Sequence, residues 1–192
     1  MVGLDKVLTG MKNAGRAAFR TREYAALLGK KAYAALVLHR LCKKGELSLV
    51  RRGWWAFPNA MPEAIASEIS KPCYVSFHSA IALHGLTAQA AREVQVAVAR
   101  NAKKYGVLGT PVREYRVKAG AFNGFSAKEG MLLASPEKAF ADCLSVPRAC
   151  PQAILVEASK GIDLARAKKM LASKAALKRM ERVVKIAGQE RT

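Results

Sequence analysis

The stretch between Thr21 and Phe57 constrains this chain most. Thr21 is placed as an N-cap for a helix over 22–28, and Gly29 is a left-handed stop for it. A second helix follows over about 30–44 and ends at Gly45. Two short helices joined at one glycine outline a helix-turn-helix. Residues 46–50 then alternate in polarity as a half-buried strand, Arg51-Arg52-Gly53 makes a turn, and 54–57 returns before Pro58 stops it. Ahead of these, Leu4, Val7, Leu8 and Met11 recur at helical spacing, with Asn13 to Gly15 as terminator. The order helix, helix-Gly-helix, strand, Arg-Arg-Gly, strand predicts an N-terminal winged helix-turn-helix DNA-binding domain over 1–60.

On the third helix, Ala34, Val37, Leu38 and Leu41 share the inward face. Ala32, Leu36, His39 and Lys43 point the other way, flanked by Tyr33 and Arg40. Ala32 and Leu36 suit thymine methyls, but few side chains here read bases by hydrogen bonding, so the sequence of the operator is not legible from this face. Lys30 and Lys31 stand at the positive end of the helix dipole, where phosphates bind. Arg51 and Arg52 occupy the tip of the hairpin, the part of a winged helix that lies on the backbone or in the minor groove. The plainer alternative is that they solvate a turn. Of Trp54 and Trp55, alternation puts one in the core and leaves the other partly exposed, neither stacking on bases. The predicted DNA-binding set is Lys30, Lys31, Tyr33, Arg40, Lys43, Arg51 and Arg52.

Charge supports a polyanionic partner. The 192 residues carry 33 Lys and Arg against 14 Asp and Glu, a formal +19 that repels itself in a folded chain. Residues 1–60 hold +9, 61–150 hold +4 and 151–192 hold +6, so the excess lies at the two ends. A generally basic proteome or a ribosome-associated role is the alternative on composition alone. No run reaches the roughly 18 apolar residues of a membrane span. The first residues, with Asp5, Lys6 and Lys12, lack the apolar centre of a signal peptide. Cys42, Cys73, Cys143 and Cys150 are widely spaced with no C-x-x-C pair, which argues against a zinc site or a disulfide framework. A cytoplasmic protein with mostly buried thiols is expected, with no metal, no cofactor and no membrane partner.

Residues 61–192 predict a small mixed α/β domain, which makes the whole chain α+β. A helix over 61–70 has Pro62 in its first turn. Ser76 is placed to cap a helix carrying Ala80, Ile81 and Leu83 and closed by Gly85. His78 and His84 lie six apart, on different sides of that helix, and cannot chelate as a pair. Val94, Val96 and Val98 mark a strand, 100–104 is a basic loop, and 112–117, 122–125 and 131–134 supply three more strands. Ser135 caps a further helix, with Pro136 in its first position and Glu137 near the positive dipole end. Helices around 153–159, 164–171 (capped by Asp163) and 174–187 form a basic helical tail over about 150–192. The last has Ala176, Leu177, Met180, Val183, Val184 and Ala187 on its apolar side. Lys174, Lys178, Arg182 and Lys185 form a stripe that is either a solvated face or an added nucleic-acid contact.

Chemistry-bearing motifs are lacking: there is no G-x-S-x-G elbow, P-loop or H-E-x-x-H. Glu137 and Asp142, five apart, do not share a helical face. A metal-dependent nucleic-acid enzyme would need Glu93, Glu114, Glu129, Glu137 and Asp142 to converge. The second domain is therefore expected not to be an enzyme.

With its elements in this order, the sequence resembles the AbiEi-type antitoxins of abortive-infection systems, grouped with predicted regulators of viral defence. The resemblance runs over about 5–145. It rests on Leu41, Gly45 and Leu47; on Arg51, Gly53 and Trp54; and on Tyr-Val-Ser-x-x-Ser-Ala-x-x-x-His-Gly-Leu from Tyr74 to Leu86. Phe122-x-Gly124 and Ser-Pro-Glu-Lys-Ala-x-x-Asp from Ser135 to Asp142 complete it. The resemblance implies a repressor that binds inverted repeats of double-stranded DNA in its own promoter, as monomer or dimer. It also implies an antitoxin that counters a nucleotidyltransferase-like toxin without a stable complex. The residues it would carry over in the second domain are Ser76, Ser79, His84, Ser135, Pro136, Glu137, Lys138 and Asp142. The alternatives are a winged-helix regulator whose second domain binds a ligand or protein with no toxin involved, and a nucleic-acid-processing enzyme.

Overall fold

Phe19, Tyr24, Leu38 and Trp55, all nearly fully buried, organise the N-terminal unit. The computed structural model describes residues 2–29, 31–171 and 173–189. In the unit, α1 (Val2–Asn13) leads to a three-residue strand β1 (Ala18–Arg20), then α2 (Thr21–Leu28) and α3 (Lys31–Lys43), and the hairpin β2 (Ser48–Arg51) and β3 (Trp54–Ala56) closes it. The strands pair antiparallel in the order β1-β3-β2, with Arg20 opposite Trp54 and Ser48 opposite Ala56. The register shifts between Leu49 and Arg51, so the hairpin bulges just before its turn.

Sequence periodicity locates the helices and the hairpin but not β1, because three residues between a turn and a helix show no period. Thr21 also differs from expectation. It opens α2 rather than capping it, and its hydroxyl accepts the Trp55 Nε1–H at 2.8 Å. The orphan amide of Arg20 instead donates to the Glu23 carboxylate at 3.3 Å. Gly29 ends α2 as predicted, at φ +72°, with its amide donating to Ala25.

Neither tryptophan is left partly exposed. Trp55 lies among Phe19, Leu38 and Phe57 on the helical side of the small sheet. Trp54, only 7% exposed, joins Ala18 and Ala56 in the larger core on the other side. Alternation along β3 is real, but both faces of this sheet are covered.

The larger core belongs to the rest of the chain. α4 (Pro62–Ser70) leads to β4 (Cys73–Val75), α5 (Phe77–Leu83) and β5 (Val94–Val98); β6 (Lys104–Val107) and β7 (Thr110–Arg116) then form a hairpin. A second hairpin, β8 (Phe125–Lys128) and β9 (Met131–Ala134), precedes α6 (Pro136–Ser145), α7 (Gln152–Ser159), α8 (Leu164–Lys169) and α9 (Lys174–Gln189). The six strands run in the order β6-β7-β5-β4-β9-β8, with β5–β7 and β4–β9 parallel and the other pairs antiparallel. The architecture is mixed α+β. β6 takes up the end of the expected basic loop, and the strand expected over 122–125 begins instead at Phe125. β5 is buried at every position, so Gln95 must be satisfied inside: it accepts from the His78 amide and donates to the Ala149 carbonyl. The turn between β8 and β9 touches the turn after α1, where a Cβ on Gly130 would sit 2.6 Å from the Gly15 carbonyl oxygen.

Two buried carboxylates fasten the sheet. Asp142 on α6 accepts from Lys138 Nζ at 2.7 Å, Ser76 Oγ at 2.7 Å and Tyr74 Oη at 2.9 Å. Lys138 and Asp142 are 1% and 3% exposed, so this is an ion pair inside the core. Ser76 stands at the N-cap of α5 but makes no side-chain cap bond, its hydroxyl being given to Asp142. Burial pushes the Asp142 carboxyl up, with Lys138, Ser76 and Tyr74 pulling the other way. Glu114 on β7 takes a two-pronged contact from Arg100 at 2.7 and 2.8 Å, plus the Ser70 hydroxyl and the Lys103 amide. Burial works to raise its carboxyl, but these donors outweigh it and hold the group below 4.5.

Both carboxylates can be tested through stability. Asp142→Ala strands the Lys138 ammonium and costs about 3–5 kcal/mol in urea denaturation. Lys138→Met combined with Asp142→Leu recovers only the part due to that ammonium, because the Ser76 and Tyr74 hydroxyls still lack their acceptor. Because the folded Glu114 carboxyl is depressed, its contribution is complete above 4.5 and is lost as pH falls through the folded value. The stability gap between the native chain and Glu114→Gln therefore closes as pH drops below 4.5, measured as denaturation midpoints from pH 7 to 3.

Candidate nucleic-acid interface

The packing of the N-terminal unit leaves one face of α3 uncovered. Ala34, Val37 and Leu38 are buried beneath it and Leu41 is half-buried against the same core, while Tyr33, Leu36, His39, Arg40 and Lys43 are exposed, along the two faces expected from the sequence; the Ala32 side chain lies outside the described residues. His39 leans its ring edge on Trp55 at 5.0 Å, which anchors that surface to the core below. Lys31 begins the helix, and Lys30 lies outside the described residues. The surface therefore offers an aromatic ring, a leucine and two cations on a rigid helix. Such a face can supply phosphate contacts and apolar contact to thymine methyls.

The hairpin beside it separates the two arginines expected at its tip. Arg52 lies exposed in the turn. Arg51, the last residue of β2, sits with its guanidinium 5.7 Å from the centre of the Trp54 ring and 5.2 Å from that of Tyr105 on β6. Arg20 on β1 lies 4.7 Å from the same Trp54 ring. Arg51 is thus partly committed to two aromatic rings, one in each sheet, and Arg20 is a third cation beside the hairpin. The sequence carried no signal for Arg20 or Tyr105, because the register that brings them here depends on an unpredicted strand and on a contact between sheets.

Arg16 fixes the N-terminal unit to α4. Its guanidinium donates to Glu23 at 2.9 Å, to Glu68 on α4 at 2.9 Å and to the Ala18 carbonyl at 3.2 Å. Glu68, with its side chain 3% exposed, takes a further 2.8 Å contact from Lys71. Together with Trp54 in the shared core, this holds the open face of α3 in a set orientation to the six-stranded sheet. On α9, Ala176, Met180, Val183 and Ala187 are buried, and the stripe of Lys174, Lys178, Arg182 and Lys185 faces solvent.

The residues carried over from the motifs of the second domain are brought together in part, and mostly turned inward. Ser76, Lys138 and Asp142 meet in the buried ion pair. Ser79 donates to the Glu93 carbonyl and accepts the Gln95 amide, tying α5 to β5. His84 shares a 2.8 Å hydrogen bond with the Ala134 carbonyl, and Ser135 caps α6 by accepting the Lys138 amide, with Pro136 in the first turn. Glu137 is half-buried in that same turn. Chemically, most of these groups act as fasteners. The carboxylates do not gather: Glu114 pairs with Arg100, Glu93 with Arg113 and Asp142 with Lys138. Among the described residues no group of three His, Cys, Asp or Glu is arranged to hold a metal ion. Cys73, Cys143 and Cys150 are buried free thiols, with burial pushing Cys73 up to about 11, and Cys42 is half-buried. No helix among the described residues is long and apolar enough to cross a membrane.

No protein-family description matches the chain, and no curated protein matches it in sequence. Its fold is similar to the crystal structure of the RV2827C protein from Mycobacterium tuberculosis, with a TM-score of 0.63 at 15% identity, over 98% of this chain and 78% of that one. The likeness therefore concerns the path of the whole chain, N-terminal unit included.

Replacing Arg16 by Ala removes one of two cations from the buried Glu68 carboxylate. The expected cost is about 1–3 kcal/mol in equilibrium unfolding.

Proposed function

We propose that this protein is a cytoplasmic DNA-binding autorepressor that also acts as the antitoxin of an AbiE-like, type IV toxin–antitoxin system. Residues 1–60 form the winged helix-turn-helix in this reading, with α3 as the recognition helix and β2–β3 as the wing, and 61–192 form the antitoxin domain. The observation that carries it is the open face of α3, with Tyr33, Arg40 and Lys43 exposed beside a hairpin that holds Arg52 out to solvent. A net +9 in the first sixty residues gives that surface the sign a duplex requires. The motif resemblance supports the antitoxin half, whose toxin would be a nucleotidyltransferase-like enzyme countered without a stable complex. The chain itself catalyses nothing in this account and needs no cofactor.

The DNA half is tested by fluorescence anisotropy with duplexes from upstream of the protein's own gene, over a range of salt. Arg52→Ala is expected to weaken binding on all sequences alike and to flatten the slope of log K against log salt by about one unit. Adding Arg51→Ala extends the loss to about one to two units in total. Unchanged binding by the double variant removes the wing from the interface. The antitoxin half is tested by co-expression with an adjacent nucleotidyltransferase-like gene, where growth rescue is expected; a chain that binds its operator but rescues nothing is a regulator without a toxin.

A further inference from the structure

A cleft of about 600 Å³ opens on the six-stranded domain, lined by none of the residues assigned to DNA. Three arginines from separate places in the chain line it: Arg92 just before β5, Arg113 on β7, and Arg148 in the short helical turn Pro147–Ala149. The guanidiniums of Arg113 and Arg148 rest on the same ring, 5.6 and 5.9 Å from the centre of Tyr115. Of the residues lining the cleft only Glu93 is acidic, and it is already engaged. It lies 3.7 Å from Arg113 and accepts from the Gln95 amide group and the Tyr115 hydroxyl. Among the described residues no ion pair engages Arg92 or Arg148.

Two guanidiniums over one ring and a third lining the same cleft, with one carboxylate that pairs only with Arg113, leave an excess of positive charge around a concavity. Like charges held this way repel, and an anion in the cleft relieves that repulsion. All three cations are arginine, whose planar fork meets the oxygens of a phosphoryl group in pairs, where lysine offers a point charge. The base of the cleft is preformed, because His78 and Gln95 are buried and Gln95 is held by the His78 amide and the Ala149 carbonyl. Pro111, Pro151 and Ile154 supply an apolar wall for the organic part of a ligand. The volume falls within the roughly 300–1,000 Å³ usual for small-molecule sites.

We propose that this cleft binds a small phosphate ester of about nucleotide size, its phosphoryl oxygens held by Arg92, Arg113 and Arg148. The proposal stands independently of the DNA-binding reading, because its residues lie outside 1–60.

Isothermal titration of the full chain with ATP, with inorganic phosphate and with citrate tests it. Saturable ATP binding is expected, with Arg92→Ala and Arg148→Ala each weakening it about ten-fold or more. Arg52→Ala should leave it unchanged, and thermal melts show whether each variant is folded. Binding of ATP alone identifies an ester as the ligand; competition by inorganic phosphate shows that the phosphoryl group carries the affinity. The proposal is overturned by no saturable binding, by citrate binding as tightly as ATP, or by an equal loss on Arg52→Ala.

Discussion

Everything in this molecule leans on a sheet of three very short strands that is covered on both sides. Trp54 and Trp55 are neighbours on β3, and each fills a different core. A three-residue strand contributes few ladder hydrogen bonds, so its position is set by what its side chains pack against. Helices take one face and the rest of the chain takes the other. The N-terminal unit is consequently seated on the larger domain, and the hydrogen bonds of Arg16 lock the seat.

That seating explains which parts of the structure are legible in the sequence. Helix boundaries follow from Gly29, Pro62, Ser135 and Asp163, because caps and stops act within one turn and leave a local mark. The two faces of α3 are equally readable, since a helix with one covered side writes its burial at a period of 3.6. Some short strands are the opposite case: β1, β4 and β6 have three or four residues each and show too little alternation to stand out, whereas β2, β3 and β9, just as short, are marked by the Arg-Arg-Gly turn or the Ser135 cap beside them. Trp54 departs from expectation for a related reason. Alternation says that two side chains point apart, but not that both sides are dry.

The candidate surfaces divide along the same line. Arg40, Lys43 and Arg52 can be placed from local geometry alone. Arg51 cannot, because its partners Trp54 and Tyr105 come from different sheets, and neither can the convergence of Arg92, Arg113 and Arg148, which are far apart in sequence. The motif around Ser76 and Asp142 is visible as a pattern, yet its physical meaning changes in the fold. Three donors surrounding a buried carboxylate bind α5, β4 and α6 together, so these residue types are required by packing before any question of a partner arises.

The touching turns at Gly15 and Gly130 extend the point to tolerance of change. Position 130 combines a left-handed backbone with a carbonyl oxygen too close to admit even a methyl group. Any larger residue there acts as a wedge at a spot where the two halves of the chain meet. A tip that looks like a harmless loop in the sequence is in effect part of a joint, and drift at that site would loosen the seat of the N-terminal unit without altering a single residue of its own.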